Sequence, residues 1–153
     1  MRVLGTLRAR RTDGTMVEPR DWRTGQTADL LRLLALHVDE PVPVDVLLEA
    51  LWPSVDEKRG RASLRSAASR IRTALGEGCV VRRLGGLVLT NAWVDAHAFT
   101  ALAREARRHV VTGALAQAVT TTREAESLYL DDFRAHHDSA DWAVAERATL
   151  SAT

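Results

Sequence analysis

Apolar positions in residues 2–20 fall in short runs, Val3-Leu4-Gly5-Thr6-Leu7 and Met16-Val17, on either side of Asp13-Gly14. Short extended runs about an Asp-Gly step predict β-strands joined by a tight turn. Over residues 27–38 the pattern changes to Ala28, Leu30, Leu31, Leu33, Leu34, Ala35 and Leu36, apolar on almost every side. Such a helix belongs at the centre of a small domain. Asp39-Glu40-Pro41 ends it, and Pro43 prevents direct continuation. Residues 45–52 predict a second helix with Leu47, Leu48, Leu51 and Trp52 on one side, closed by Pro53. A third starts at Asp56 and Glu57, acids suited to a helix N-terminus, and runs to about Leu75 with Gly76 as its stop. Residues 80–89 read as two short strands around a Gly85-Gly86 turn.

The third helix has two unlike sides. Leu64, Ala68, Ile71 and Leu75 recur at the spacing of a buried stripe. Opposite them stand Ala62, Ser66, Ser69 and Thr73, with Arg65 and Arg72 on one shoulder and Arg70 on the other. Small hydroxyl residues let a helix sink into a DNA groove while arginines reach guanine edges and phosphates. Strands, three helices and a basic hairpin, in that order, predict an α+β winged helix-turn-helix with an N-terminal β-sheet. The third helix is its recognition helix and the last hairpin its wing. Arg65, Ser66, Ser69, Arg70 and Thr73 are the candidates for base edges; Arg59, Arg61, Arg72, Arg82 and Arg83 are the candidates for phosphates.

Charge sharpens this picture. The chain as a whole carries only +1, yet residues 58–83 hold 8 basic groups against Glu77 alone, a net +7. Residues 1–57 carry −3, residues 84–123 carry +2 and residues 124–153 carry −5. A concentrated basic block in a chain otherwise close to neutral or acidic is the footprint of an anion-binding face, with double-stranded DNA the leading partner.

From Val94 the texture is helical. Residues 96–111 and 114–130 form two predicted helices broken at Thr112-Gly113, the first striped by Phe99, Leu102, Ala103 and Ala106. The second is striped by Leu115, Ala118, Val119, Ala125 and Leu128, and a further helix from Ser139 holds Trp142, Ala145 and Leu150. Antiparallel pairs of this length are the unit of tetratricopeptide-like arrays. The expected division is therefore a DNA-binding domain at 1–92 and a partial helical domain at 93–153.

With 46% hydrophobic and 27% charged residues the chain is too apolar for a disordered one. Cys79 is the sole cysteine, which excludes an intrachain disulfide and any multi-cysteine zinc site; it reads as a small buried hydrophobe. His97, His109 and His136-His137-Asp138 lack helical ligand spacing, so no metal or other cofactor is expected. Trp22, Trp52, Trp93 and Trp142 fall one per unit and read as packing anchors. No nucleophile elbow, phosphate-cradling loop or paired carboxylate stands out, so no enzyme is expected. The N-terminus lacks a signal-peptide core and the longest apolar stretch is too short to span a membrane, which predicts a cytoplasmic protein.

Several stretches in order carry a family resemblance. They are Val3-Leu4-Gly5-Thr6-Leu7; Leu33-Leu34-Ala35-Leu36-His37 with Pro41-Val42; Leu48-Glu49-Ala50-Leu51-Trp52-Pro53; and Ser69-Arg70-Ile71-Arg72-Thr73-Ala74-Leu75-Gly76. Val94-Asp95 leads on to Phe99, then Tyr129-Leu130-Asp131-Asp132-Phe133, and finally Ala140-Asp141-Trp142 with Glu146-Arg147. The chain resembles the N-terminal part of the Streptomyces antibiotic regulatory proteins, an OmpR-like winged helix followed by a bacterial transcriptional activation domain. It departs from that pattern at Pro43, where a capping Ser or Thr is usual, at Leu87, where the wing usually has an aromatic, and in a helical region about half the usual length. The resemblance implies a transcriptional activator that binds promoter direct repeats, self-associates on DNA and contacts RNA polymerase and its sigma factor. It puts the polymerase contact at residues 53–58, with Asp56 and Glu57 as candidates. The alternative reading is a protein-interaction module, in which the acidic helical tail binds a partner and the winged helix reads no sequence.

Overall fold

The computed structural model describes residues 1–4, 7–22 and 24–128. Helix α1 (Gly25–Leu36) occupies the centre, with every residue from Thr27 to Ala35 buried, as its all-round apolar pattern requires. The Thr24 hydroxyl caps it by accepting from the Thr27 amide. Asp29 and Arg32 are buried within it and pair one turn apart at 3.0 Å. Burial pulls the Arg32 guanidinium below its usual range, and the Asp29 carboxylate offsets part of that shift.

After α1 the chain makes a two-residue strand, β1 (Val42–Pro43), and enters α2 (Val44–Leu51), which buries Val44, Leu47 and Leu51. Helix α3 (Glu57–Leu75) begins where the Asp56 carboxylate accepts from the Arg59 amide at 3.1 Å. It stops at Gly76, whose φ of 117° lies in the region that favours glycine. Strands β2 (Val80–Arg83) and β3 (Gly86–Leu89) follow, and the sheet is antiparallel in the order β1-β3-β2. Val42 stands opposite Leu87, and Pro43 opposite Gly86. A Cβ on Gly86 would lie 2.8 Å from the Val42 carbonyl carbon and closer still to its oxygen, so only glycine admits β1 here.

Several expectations change. The turn of the hairpin is Leu84-Gly85 rather than Gly85-Gly86: φ is 47° at Leu84 and 77° at Gly85, the two-residue turn whose twist matches antiparallel strands. Gly86 is committed to the ladder opposite β1 and is not available to the turn. At the N-terminus, the expected strands reduce, among the described residues, to isolated bridges, Arg2↔Arg8 and, across the Asp13-Gly14 turn, Arg10↔Met16. The amides of Val3 and Leu4 donate to the carboxylate of Asp95, at 2.8 and 3.2 Å. Trp93 is 56% exposed and is not a core anchor; the extended backbone there turns Val94 inward and Trp93 outward.

Helices α4 (Asp95–Val111) and α5 (Leu115–Leu128) pack on one another across Thr112-Gly113. Ala106, Ala118, Thr121 and Ala125 are buried, whereas Leu115 and Val119 of the expected stripe are exposed. The helix expected from Ser139 and the motifs at 129–133 and 140–147 lie outside the described residues. Among the described residues, no helix is long and apolar enough to cross a membrane.

Asp95 joins the two ends of this arrangement. It is 1% exposed and accepts from the amides of Val3, Leu4 and Ala96, while its own amide donates to the Met1 carbonyl at 3.1 Å. Burial pushes its carboxyl above the usual aspartate range, with the three amide donors pulling the other way. Asp95→Ala leaves buried amides without an acceptor and is expected to lower the unfolding free energy by about 1–3 kcal/mol in urea titration. The sign of its pH dependence also follows. A raised folded pKa means the folded state holds the proton more tightly, so this contribution is full below the unfolded value and is lost as pH rises through the folded one. The stability of the wild type relative to Asp95→Asn is therefore expected to increase as pH falls from neutral into the acid range.

Candidate nucleic-acid interface

Helix α3 buries Gly60, Leu64, Ala67, Ala68, Ile71 and Ala74. With that side held in the core, Ala62, Ser66, Ser69 and Thr73 are exposed, as the spacing predicts. Arg65 is exposed and Arg70 half-buried, and neither makes a hydrogen bond or ion pair among the described residues. Thr73 donates its hydroxyl to the Ser69 carbonyl at 3.1 Å, which keeps the hydroxyl low on the helix and leaves the side chain at the surface. The five base-edge candidates thus share one accessible region of α3.

The phosphate candidates divide into three groups. Arg82 and Arg83, on β2 beside the turn, are exposed and without a partner among the described residues. Arg59 and Arg61 stand at the start of α3 in surface ion pairs. Arg59 meets Asp56 at 3.4 Å, and Arg61 meets Glu57 at 2.8 Å and Asp45 at 3.3 Å. Exposed pairs of this kind contribute about 0–1 kcal/mol each, so a phosphate can displace them. Arg72 differs from both, because its Nε donates to the Val80 carbonyl at 2.7 Å and holds the hairpin against α3.

Two clefts flank α3. One, of about 360 Å³, lies between the helix and the hairpin and is lined by Leu64, Arg65, Ala68, Arg72, Arg82 and Leu87. It brings a base-edge candidate and a hairpin arginine to one opening. The other, of about 470 Å³, includes Ser69, Arg70 and Thr73 together with Arg11, Arg20 and Asp21 from the N-terminal segment. Arg11 fixes that segment by donating to the Ala74 carbonyl at 2.6 Å and pairing with Asp21 at 3.4 Å. Arg11 and Arg20 are additions to the sequence-derived set. The run Arg8-Ala9-Arg10-Arg11 is visible in the sequence, but only tertiary packing carries it to the end of α3.

Other candidate chemistry is absorbed by structure. Cys79 is half-buried with its Sγ 3.8 Å from the Ile71 carbonyl, and burial pushes its thiol up, away from thiolate reactivity. His97 hydrogen-bonds the Leu36 carbonyl at 2.9 Å and His109 lies 3.7 Å from Glu105. His136, His137 and Asp138 lie outside the described residues, among which no cluster suited to a metal occurs.

The fold is similar to that of a solved structure, "Mycobacterium tuberculosis EmbR in complex with low affinity phosphopeptide", with a TM-score of 0.84 and 23% identity over 99% of this chain. This chain spans 41% of that EmbR chain. At such identity the likeness establishes a shared fold. No family model matches the sequence, and no curated protein matches it.

The unlike roles of two neighbouring arginines are testable. Arg72→Ala removes the tie to Val80 and is expected to cost about 1–2 kcal/mol of stability. Arg70→Ala is expected to leave the unfolding free energy from urea titration within about 0.5 kcal/mol of wild type.

Proposed function

We propose that this chain is a non-catalytic, sequence-specific transcription regulator that binds double-stranded DNA through α3 and the β2–β3 hairpin as its wing. The observation that carries the reading is the exposed side of α3, where Ser66, Ser69 and Thr73 lie between Arg65 and Arg70, with unpaired Arg82 and Arg83 on the adjoining hairpin. The EmbR-like fold and the resemblance to the Streptomyces antibiotic regulatory proteins support a regulator of that type. In this reading α3 enters the major groove, Arg65 and Arg70 read base edges, and the hairpin arginines neutralise phosphates. The regulator is an activator that pairs head-to-tail on promoter direct repeats and offers Asp56 and Glu57 to RNA polymerase. The phosphopeptide belongs to the EmbR structure and is not carried over.

The test is selection of bound duplexes from a random pool, followed by fluorescence polarisation at two salt concentrations. A repeated motif bound about a thousandfold more tightly than unselected duplex is expected. Absence of any enriched motif would instead favour a protein-interaction module. On the selected duplex, Arg70→Ala is expected to lose about 1–3 kcal/mol of binding. Arg82→Ala or Arg83→Ala should weaken all sequences alike and reduce the slope of log K against log salt by about one.

The polymerase contact needs a variant that respects the capping role of Asp56. Asn also caps helices, so Asp56→Asn with Glu57→Gln removes both charges while keeping α3 intact. Loss of transcription output in vitro with unchanged DNA affinity is the expected result.

A further inference from the structure

The tip of the hairpin is built against its own chemistry. Leu84 is 94% exposed and has φ of 47°. At that φ a two-residue turn is most easily made by Asn, Asp or Gly, each of which would also leave nothing apolar in water. A branched apolar side chain there gains neither local conformation nor burial in the free protein. Its immediate surroundings are Arg82, Arg83 and Gly85, so the apolar tip stands on a basic stem with no carboxylate in the turn. The cleft shared by Arg65 of α3 and Arg82 of β2 places the hairpin beside the helix face assigned to the major groove. A groove that borders the major groove on a duplex is the minor groove, which is narrow enough to suit a two-residue turn and not a helix.

We propose that Leu84 is an apolar wedge that enters the DNA minor groove next to the site of α3 and partly unstacks one base step, with Arg82 and Arg83 holding the flanking phosphates. This rests on the DNA-binding reading above and adds to it a specificity determinant that makes no hydrogen bond. Leu is among the side chains able to part a base step, and a wedge selects flexible pyrimidine–purine steps by the ease of deforming them. The hairpin would thus report DNA deformability while α3 reports base edges. The basic stem favours DNA over a protein partner as the occupant.

The test uses the full chain and an end-labelled duplex recovered from the random pool by the wild type. Leu84→Asn suits the positive φ, so the variant folds at least as well as the wild type; Leu84→Met keeps an apolar tip. Leu84→Asn is expected to bind the selected duplex about tenfold more weakly and to bend it less by end-to-end energy transfer. The salt slope should be unchanged, because no phosphate contact is lost, which separates this variant from Arg82→Ala. Leu84→Met should retain most of the affinity and the bend. Wild-type affinity and bend in Leu84→Asn would overturn the wedge while leaving the DNA-binding reading intact. Unchanged DNA binding with loss of polymerase recruitment by Leu84→Asn would overturn it in favour of a protein contact. A wild type that binds no duplex would overturn both readings together.

Discussion

Burial of Leu64, Ala68 and Ile71 in the core that α3 shares with α1 is the constraint on which the outer surface of α3 depends. A helix rotates as a unit, so anchoring one side sets the direction of every residue on the other. Because α1 is buried along its length, it offers α3 a fixed wall and not a surface that could slide. The exposed Ser-Ser-Thr face is thereby held outward with Arg65 and Arg70 beside it, neither of them used in a hydrogen bond or ion pair among the described residues. The hairpin is added through the Arg72–Val80 hydrogen bond and the narrow fit of Gly86 against Val42. Neither contact uses the side chain of Arg82 or Arg83, and both remain exposed.

The basic block of the sequence is therefore not one surface. Its charges do three jobs: Arg72 secures structure, Arg59 and Arg61 sit in exchangeable pairs with acids, and Arg65, Arg70, Arg82 and Arg83 stand without partners among the described residues. A count of charge cannot separate these, because what distinguishes them is the nearest acceptor. The carbonyl of Val80, buried at the start of β2, takes Arg72, while Asp56, Glu57 and Asp45 take Arg59 and Arg61. The N-terminal segment supplies the opposite case, with Arg11 and Arg20 arriving beside Arg70 from far away in the chain.

Much of this was legible from local chemistry. The ends of α3 follow from Asp56 and Gly76, the core position of α1 from its unbroken apolar residues, and the exposed face of α3 from simple periodicity. What was not legible is what depends on distant partners. Val42-Pro43 carries no strand pattern of its own and becomes one only because Gly86 leaves room opposite. The N-terminal runs look like strands, yet the amides of Val3 and Leu4 are bound by the Asp95 carboxylate, some ninety residues away in the chain. Gly85-Gly86 looks like a turn, and the demand of β1 for Gly86 moves the turn back onto a leucine.

Asp95 also bears on where one unit of this chain ends and the next begins. Judged by texture, the seam falls at about residue 92, before the helical region. Judged by hydrogen bonding, the first residue of α4 serves the first strand-like segment of the chain, some ninety residues earlier, and completes its backbone. A fragment cut at the apparent seam would carry away two sheltered amide protons and leave their acceptor behind. The helical region is thus the far half of a clasp that closes the N-terminal half of the chain, and anything that tugs on α4 also pulls at the N-terminal segment.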